Sequence, residues 1–441
     1  MHGTFDLIRL AAVPLSLTLL SILSGSVINR VMVVELGLPV VVAGLFVAIP
    51  LLVSPARIWL GYLSDAYPIR GRRREPYLIL GAMLSGAGVV TSVALVVHTP
   101  GLWSLASVVI LLALVLYGLG RNLTGNTFQA LVADRFSPGV PRSRAVNLYE
   151  VVKLVGMVFA AGLVGLALRP YSAERLTLVV AIVTALAVVL SVVAAWNQEP
   201  RTQEHREAAI RARANPFGSS FRTLVWNDPQ ARRFVGVITL TLFGTQMQDV
   251  LMEPYAGLVL GMDVAATTQL TMFWGLGALL SILLSGLVLI RWVGLAPLFR
   301  LGILLLIPLF GVIILAGVLR QVWLLQVGVL ALGLASGFTA ASLLAQTVAF
   351  TSLQSAGLLL GVWGVGHLLG RAFANLFGAG LVDLMNLITG HQALLAYGTA
   401  FVVEAALLVW ALLAFRKLRI ESARALTTCA GEARCSAATG V

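Results

Sequence analysis

Apolar residues run through this chain in long blocks, with polar residues gathered between them. Twelve blocks stand out, at residues 10–33, 40–63, 77–97, 103–132, 146–168 and 176–196, then 234–258, 270–290, 296–319, 323–344, 357–381 and 394–415. Crossing a bilayer takes about 20 mostly apolar residues. Backbone exposed to lipid must satisfy its own hydrogen bonds, so each block is predicted to be a helix. Continuous apolarity excludes the alternating pattern of a barrel. The longest polar stretch, 197–233, has six blocks before it and six after. The predicted organisation is a six-helix bundle over 1–196, a cytoplasmic loop over 197–233, a second bundle over 234–415, and a cytoplasmic tail without fixed structure over 416–441.

A faint internal repeat supports the halving. "GLGRNLTGNTFQA" from Gly118 and "GLASGFTAASLLA" from Gly333 share Gly-Leu, a Thr six residues in and a closing Ala. Together with the six-plus-six layout, this predicts an all-α membrane protein with two parallel repeats, the arrangement of the major facilitator superfamily. Within the central loop, "EHREAAIRARA" reads equally as a surface helix and as a solvated linker.

Composition agrees. Of 441 residues, 59% are hydrophobic and 11% charged, with a mean hydropathy of +0.96. The net charge of +12 comes from loop arginines rather than a nucleic-acid motif, so nucleic acid is not an expected partner and membrane lipid is. With the N-terminus inside, inner connections and termini carry twenty-two Lys and Arg against four outside, which predicts both termini in the cytoplasm. The inner connection at 349–356 has no positive charge. Cys429 and Cys435 in the tail fit no common zinc pattern, and the N-terminus lacks a signal-peptide cleavage site.

A charge at the centre of a membrane helix costs about 2.5–3.5 kcal/mol on insertion scales, so such residues pair, line a cavity or work. Arg57, Arg121, Glu150 and Lys153 all fall in the cytoplasmic half of the first bundle, where together with Asp65 they are expected to form an ion-pair cluster, either a structural latch or a substrate- or proton-handling site. Asn122, Asn126 and Gln129 share one face of span four beside Arg121, pointing into a polar cavity or at a partner helix. In span eleven, Trp363, His367, Arg371 and Asn375 recur every fourth residue, with glycine pairs Gly357/Gly361 and Gly366/Gly370 alongside. Such glycines serve helix packing or admit a flat ligand, and a neutral His367 imidazole suits the magnesium of a chlorin ring. No metal cluster is otherwise expected.

The outer end of span seven reads "TQMQDVLMEPYAG", placing Gln248, Asp249, Glu253 and Tyr255 together; the outer end of span one carries Asn29, Arg30 and Glu35. Two explanations stand: an outer gate closed by polar contacts, with Arg371 as partner to Asp249, or a wetted helix end.

Three stretches resemble the PucC family, the bacteriochlorophyll-delivery branch of the major facilitator superfamily: the one from Asn29 to Asp65, "QDVLMEPYAGLVLGMDVAATTQL" from Gln248, and "GLLLGVWGVGHLLGRAFANLFGAGLVD" from Gly357. The resemblance runs in order along nearly the whole chain. It implies a bacterial photosynthetic inner membrane and a role in building light-harvesting complexes. The implied partners are bacteriochlorophyll as cargo and antenna polypeptides or the reaction-centre–antenna complex. In the family pattern an amide is common where His367 stands. The superfamily's cytoplasmic motif is altered: "GYLSDAYPIRGRRR" puts Gly71 six residues beyond Asp65, leaving Asp65 and Arg72–Arg74 to stitch spans two and three together. The expected function is an assembly factor that needs no cofactor; the alternative is a secondary transporter moving a small solute by alternating access. No nucleophile–base pair or phosphate loop points to an enzyme.

Overall fold

The computed structural model describes residues 4–99, 105–136, 140–199, 229–285, 289, 292–349 and 356–416. Among the described residues every regular element is a helix. Ten helices among the described residues are long and apolar enough to cross a membrane. Spans two and seven, predicted as unbroken, are each split. Span two is Val40–Leu52 and Ala56–Ala66, separated by a turn just after Pro50. Span seven is Pro229–Gln246 and Gln248–Leu260, with Pro254 inside the second segment. A proline within a helix removes one backbone donor and clashes one turn back, so Pro50 and Pro254 disturb the helix toward residues 46 and 250 rather than at the breaks themselves. Span one runs continuously over 4–35, but two wide π turns, Ile22–Val27 and Val31–Glu35, flank Ile28–Arg30.

Several predicted boundaries move. Span five begins at Val140, six residues early, and span eight at Val264 rather than 270. The second shift has a local cause: Asp263 caps the helix, its Oδ1 accepting from Ala266 N at 2.7 Å. Span eleven continues to Ile388. The surface-helix segment at 204–214, the 350–355 connection and the tail from 417, with Cys429 and Cys435, lie outside the described residues.

Packing repeats between the halves. Span one packs on spans five and six, two on four, and three on four and six. Span seven packs on eleven and twelve, eight on ten, and nine on ten and twelve. Adding six to each number of the first set yields the second. The halves meet chiefly where span two faces eleven and span five faces eight, a pairing that maps onto itself under the same operation.

The faint repeat is the seam of this symmetry. A Cβ built on Gly118 would fall 2.7 Å from Pro50 O in span two, and one on Gly333 would fall 2.1 Å from Trp274 O in span eight. The shared threonines do the same: a Cβ on Gly81 of span three would lie 2.5 Å from Thr124 Oγ1, and one on Gly302 of span nine 2.4 Å from Thr339 Oγ1. Small residues at these four crossings let backbones touch where lipid gives no hydrophobic drive for helices to associate.

Candidate functional site

The two polar signatures meet, and they meet across the halves. Pro254 has no N–H to give the carbonyl four residues back, Val250 O. Asn29 Nδ2 of span one donates to that carbonyl at 2.9 Å. Next to it, Ser26 Oγ donates to Glu253 Oε1 at 2.8 Å, and Thr271 Oγ1 of span eight lies 3.2 Å from the same oxygen. Arg30 pairs with Glu35 and donates through Nη2 to Met262 O at 2.9 Å. The π turns on either side of Ile28–Arg30 sit where these side chains are aimed into the interface, a common place for such turns. Beside them, burial pushes the Tyr171 phenol above its ordinary pKa and Glu35 adds to the rise, while Arg30 pulls it down.

Asn29, Gln248 and Glu253 are buried, which rules out the wetted helix end. Tyr255 takes no part in the joint: its hydroxyl donates to Ile313 O at 2.9 Å, and its ring packs against Tyr397 and Phe401 inside the second half. Asp383, at the same end of span eleven, accepts from the free backbone donors of Val40 and Val41 at 2.9 and 2.7 Å. Arg169 meets Asp263 at 3.2 Å in a further contact between halves.

Deeper in the second half, Arg371 Nε lies 2.7 Å from Asp249 Oδ2. Asn375, one turn on, is fully buried with both amide atoms lacking a hydrogen bond. Glu404 of span twelve joins this group from outside the residues singled out in the sequence. It is fully buried, neither oxygen makes a hydrogen bond of normal geometry, and it feels the charge of Asp249. A lone Glu in "AFVVEAALLVW" was the available signal. His367 is half-buried on the same helix as Arg371; the Trp363 side chain, Gly357 and Gly361 lie outside the described side chains. The second glycine pair divides its tasks: Gly370 packs on Leu242, whereas a Cβ on Gly366 would meet nothing within 4 Å.

The expected cytoplasmic ion-pair cluster does not form among the described residues. Lys153 pairs with Glu150, three residues away on its own helix face, so that pair is self-contained. Arg57 is held by amides instead, through Nε to Asn126 Oδ1 at 3.3 Å and through Nη2 to Gln129 Oε1. Asn122 leaves the polar face and donates to Gly118 O of its own helix at 2.8 Å. The Asp65 side chain lies outside the described ones. The stitching of spans two and three runs through Arg74, which reaches Asp134 at 2.9 Å and Ser64 at 2.9 Å, and through Glu199, which accepts from the backbones of Arg73 and Arg74.

At the signature end, a cavity of about 480 Å³ opens between spans one to four. Its walls are apolar, Met32, Phe46, Ile49 and Leu114 among them, with His98, Thr99 and Ser107 as polar groups. Leu45 and Leu111, also lining it, are exposed on the lipid-facing surface.

A family model described as PUCC protein matches residues 27–423. The chain belongs to the PucC family. Among its PucC relatives, "Bacteriochlorophyll synthase 44.5 kDa chain" of Rhodobacter capsulatus is 32% identical, with 92% of this chain and 94% of that protein covered. "Protein PucC" of Cereibacter sphaeroides is 30% identical, with 91% and 89% covered. Among solved structures, a mutant of the nucleoside transporter NupG superposes with a TM-score of 0.69 at 14% identity, covering 94% of this chain and all of that one. A mutant of the peptide transporter POT does so at 0.67 and 17%, covering 95% and 97%. These likenesses establish the major facilitator fold for this PucC-family membrane protein.

Proposed function

We propose that this PucC-family chain is a membrane assembly factor for photosynthetic complexes. It works in the bacterial inner, photosynthetic membrane with both termini cytoplasmic. It binds bacteriochlorophyll or hands it to antenna polypeptides, alone or within a reaction-centre–antenna complex. It is not an enzyme and needs no cofactor of its own. The observation that carries this is end-to-end similarity to relatives named for PucC and for bacteriochlorophyll synthase.

Two features of the molecule support a pigment as cargo. The apolar, lipid-facing cavity between spans one to four suits part of a large amphipathic molecule. The open space at Gly366, one residue from His367, leaves room for a flat ring beside an imidazole able to take its magnesium. A chlorin bound there would supply the metal, and His367 would hold and orient it.

A second reading, a secondary transporter, is favoured by the fold shared with NupG and POT and by the polar Arg57–Asn126–Gln129 group between the halves. The readings separate in a phototrophic host lacking the gene, complemented with wild type or with D249N/E253Q. Antenna absorption should return with the wild type and fall short with the variant. Full antenna levels without the gene would overturn assembly as the function.

A further inference from the structure

Six Lys and Arg side chains stand within the apolar blocks: Arg30 and Arg300 within four residues of a block end, and four deeper ones, Arg57, Arg121, Lys153 and Arg371. Lys153 has Glu150 and Arg371 has Asp249. The other two deeper ones have no carboxylate partner among the described residues. Arg57 spends two of its nitrogens on the amides of Asn126 and Gln129. Arg121, on the same helix as those amides, lies close enough for its charge to act on Arg57. Buried acids lie elsewhere: Glu75 of the first half is paired with Arg72, and Glu253 and Glu404 belong to the second half.

Two like charges held together inside a membrane protein repel and are poorly hydrated, and such groups are retained when something else stabilises them. The surroundings are arranged to keep them together. Gly61 leaves room for Asn126, since a Cβ there would fall 2.4 Å from Asn126 Nδ2, and Asn126 also donates back to Arg57 O at 3.4 Å. The remaining nitrogen, Nη1 of Arg57, faces the second half, 3.7 Å from a Cβ built on Gly364 of span eleven. Both arginines are partly exposed rather than sealed. The result is a pair of cationic side chains on spans two and four, with Arg57 facing span eleven and no carboxylate partner among the described residues.

We infer that Arg57 and Arg121 form a binding site for an oxyanion, the phosphate or carboxylate group of a molecule entering the gap between the halves. Arginine forks suit planar or tetrahedral oxyanions, and charge-assisted bonds in a poorly hydrated site are the strong ones. The site stands on geometry separate from the pigment reading and survives its failure.

The test is thermal unfolding of the full-length chain, wild type and R121Q, in phosphatidylcholine nanodiscs. Phosphatidylglycerol, added to the nanodiscs, probes a lipid headgroup; inorganic phosphate in the buffer probes a free anion. One or both should raise the wild-type midpoint by binding the folded state. R121Q should unfold at the same temperature as wild type or higher without anion, because a repulsion is gone. It should need roughly tenfold or more anion for the same shift. R121K, keeping charge but not the fork, should fall between. A shift with phosphatidylglycerol alone assigns a lipid headgroup; a shift with phosphate as well assigns a site that free anions reach. No shift from either probe, an equal shift in R121Q, or an R121Q protein less stable than wild type without anion would overturn the inference.

Discussion

Asp249 and Arg371 face each other at 2.7 Å from different helices of one half, in a setting where neither charge is well hydrated. Removing one partner from a buried ion pair costs about 3–5 kcal/mol because the other is stranded, whereas removing both costs far less. D249N and R371Q should therefore each lower the thermal midpoint in detergent, and the double variant should recover part of the loss. A double-mutant cycle should give a coupling of at least about 1 kcal/mol; additivity would show that the pair is not a unit. His367 gives a second residue-level expectation: H367L should lower the bacteriochlorophyll occupancy of purified protein, and unchanged occupancy would remove His367 from the pigment site. These residues were legible because a charge in an apolar run is conspicuous. Their partners were not. Ser26 and Thr271, which hold Glu253, are small polar residues of a kind found throughout the chain. Tyr255 stood inside a conspicuous motif and proved to be packing.

At the scale of elements, the chain is held together by close helix crossings and by a proline whose missing donor is answered from another span. The bond from Asn29 to the carbonyl freed by Pro254 is why two distant signatures belong to one joint. The crossings at Gly81 with Thr124 and Gly302 with Thr339 are equivalent positions of the two halves. A leucine at either should force the helices apart at a cost of about 1–3 kcal/mol or more. G81L and G302L should then lower the thermal midpoint by similar amounts, while leucine at lipid-facing Phe159 should change it little. Unequal losses would mean that the halves do not share this seam. Apolar run length located these elements. It could not show the breaks in spans two and seven, because the turn after Pro50 and the split at Met247 depend on how neighbouring helices pack.

For the whole molecule, two sixfold repeats are joined by polar bonds at one end, where Ser26, Asn29, Arg30 and Asp383 all reach across the halves. Arg9, Arg73 and Arg74 cluster with Trp196 and Glu199 at the other. With the arginine-rich end in the cytoplasm, single cysteines at Gly261 and Arg70 in a cysteine-free background should label from opposite sides of the membrane. Labelling from one side would break the predicted topology. The halving was readable from block lengths and one weak repeat. The joint was not, because it depends on which polar groups of one half find which of the other. Membership of the PucC family gives this architecture its setting in photosynthetic complex assembly. The most direct measurement is the absorption spectrum of the full-length chain purified in mild detergent from a phototrophic host. Bacteriochlorophyll near one per chain, with antenna polypeptides in the same fraction, is the expected result; colourless protein that drives solute uptake into liposomes would contradict it.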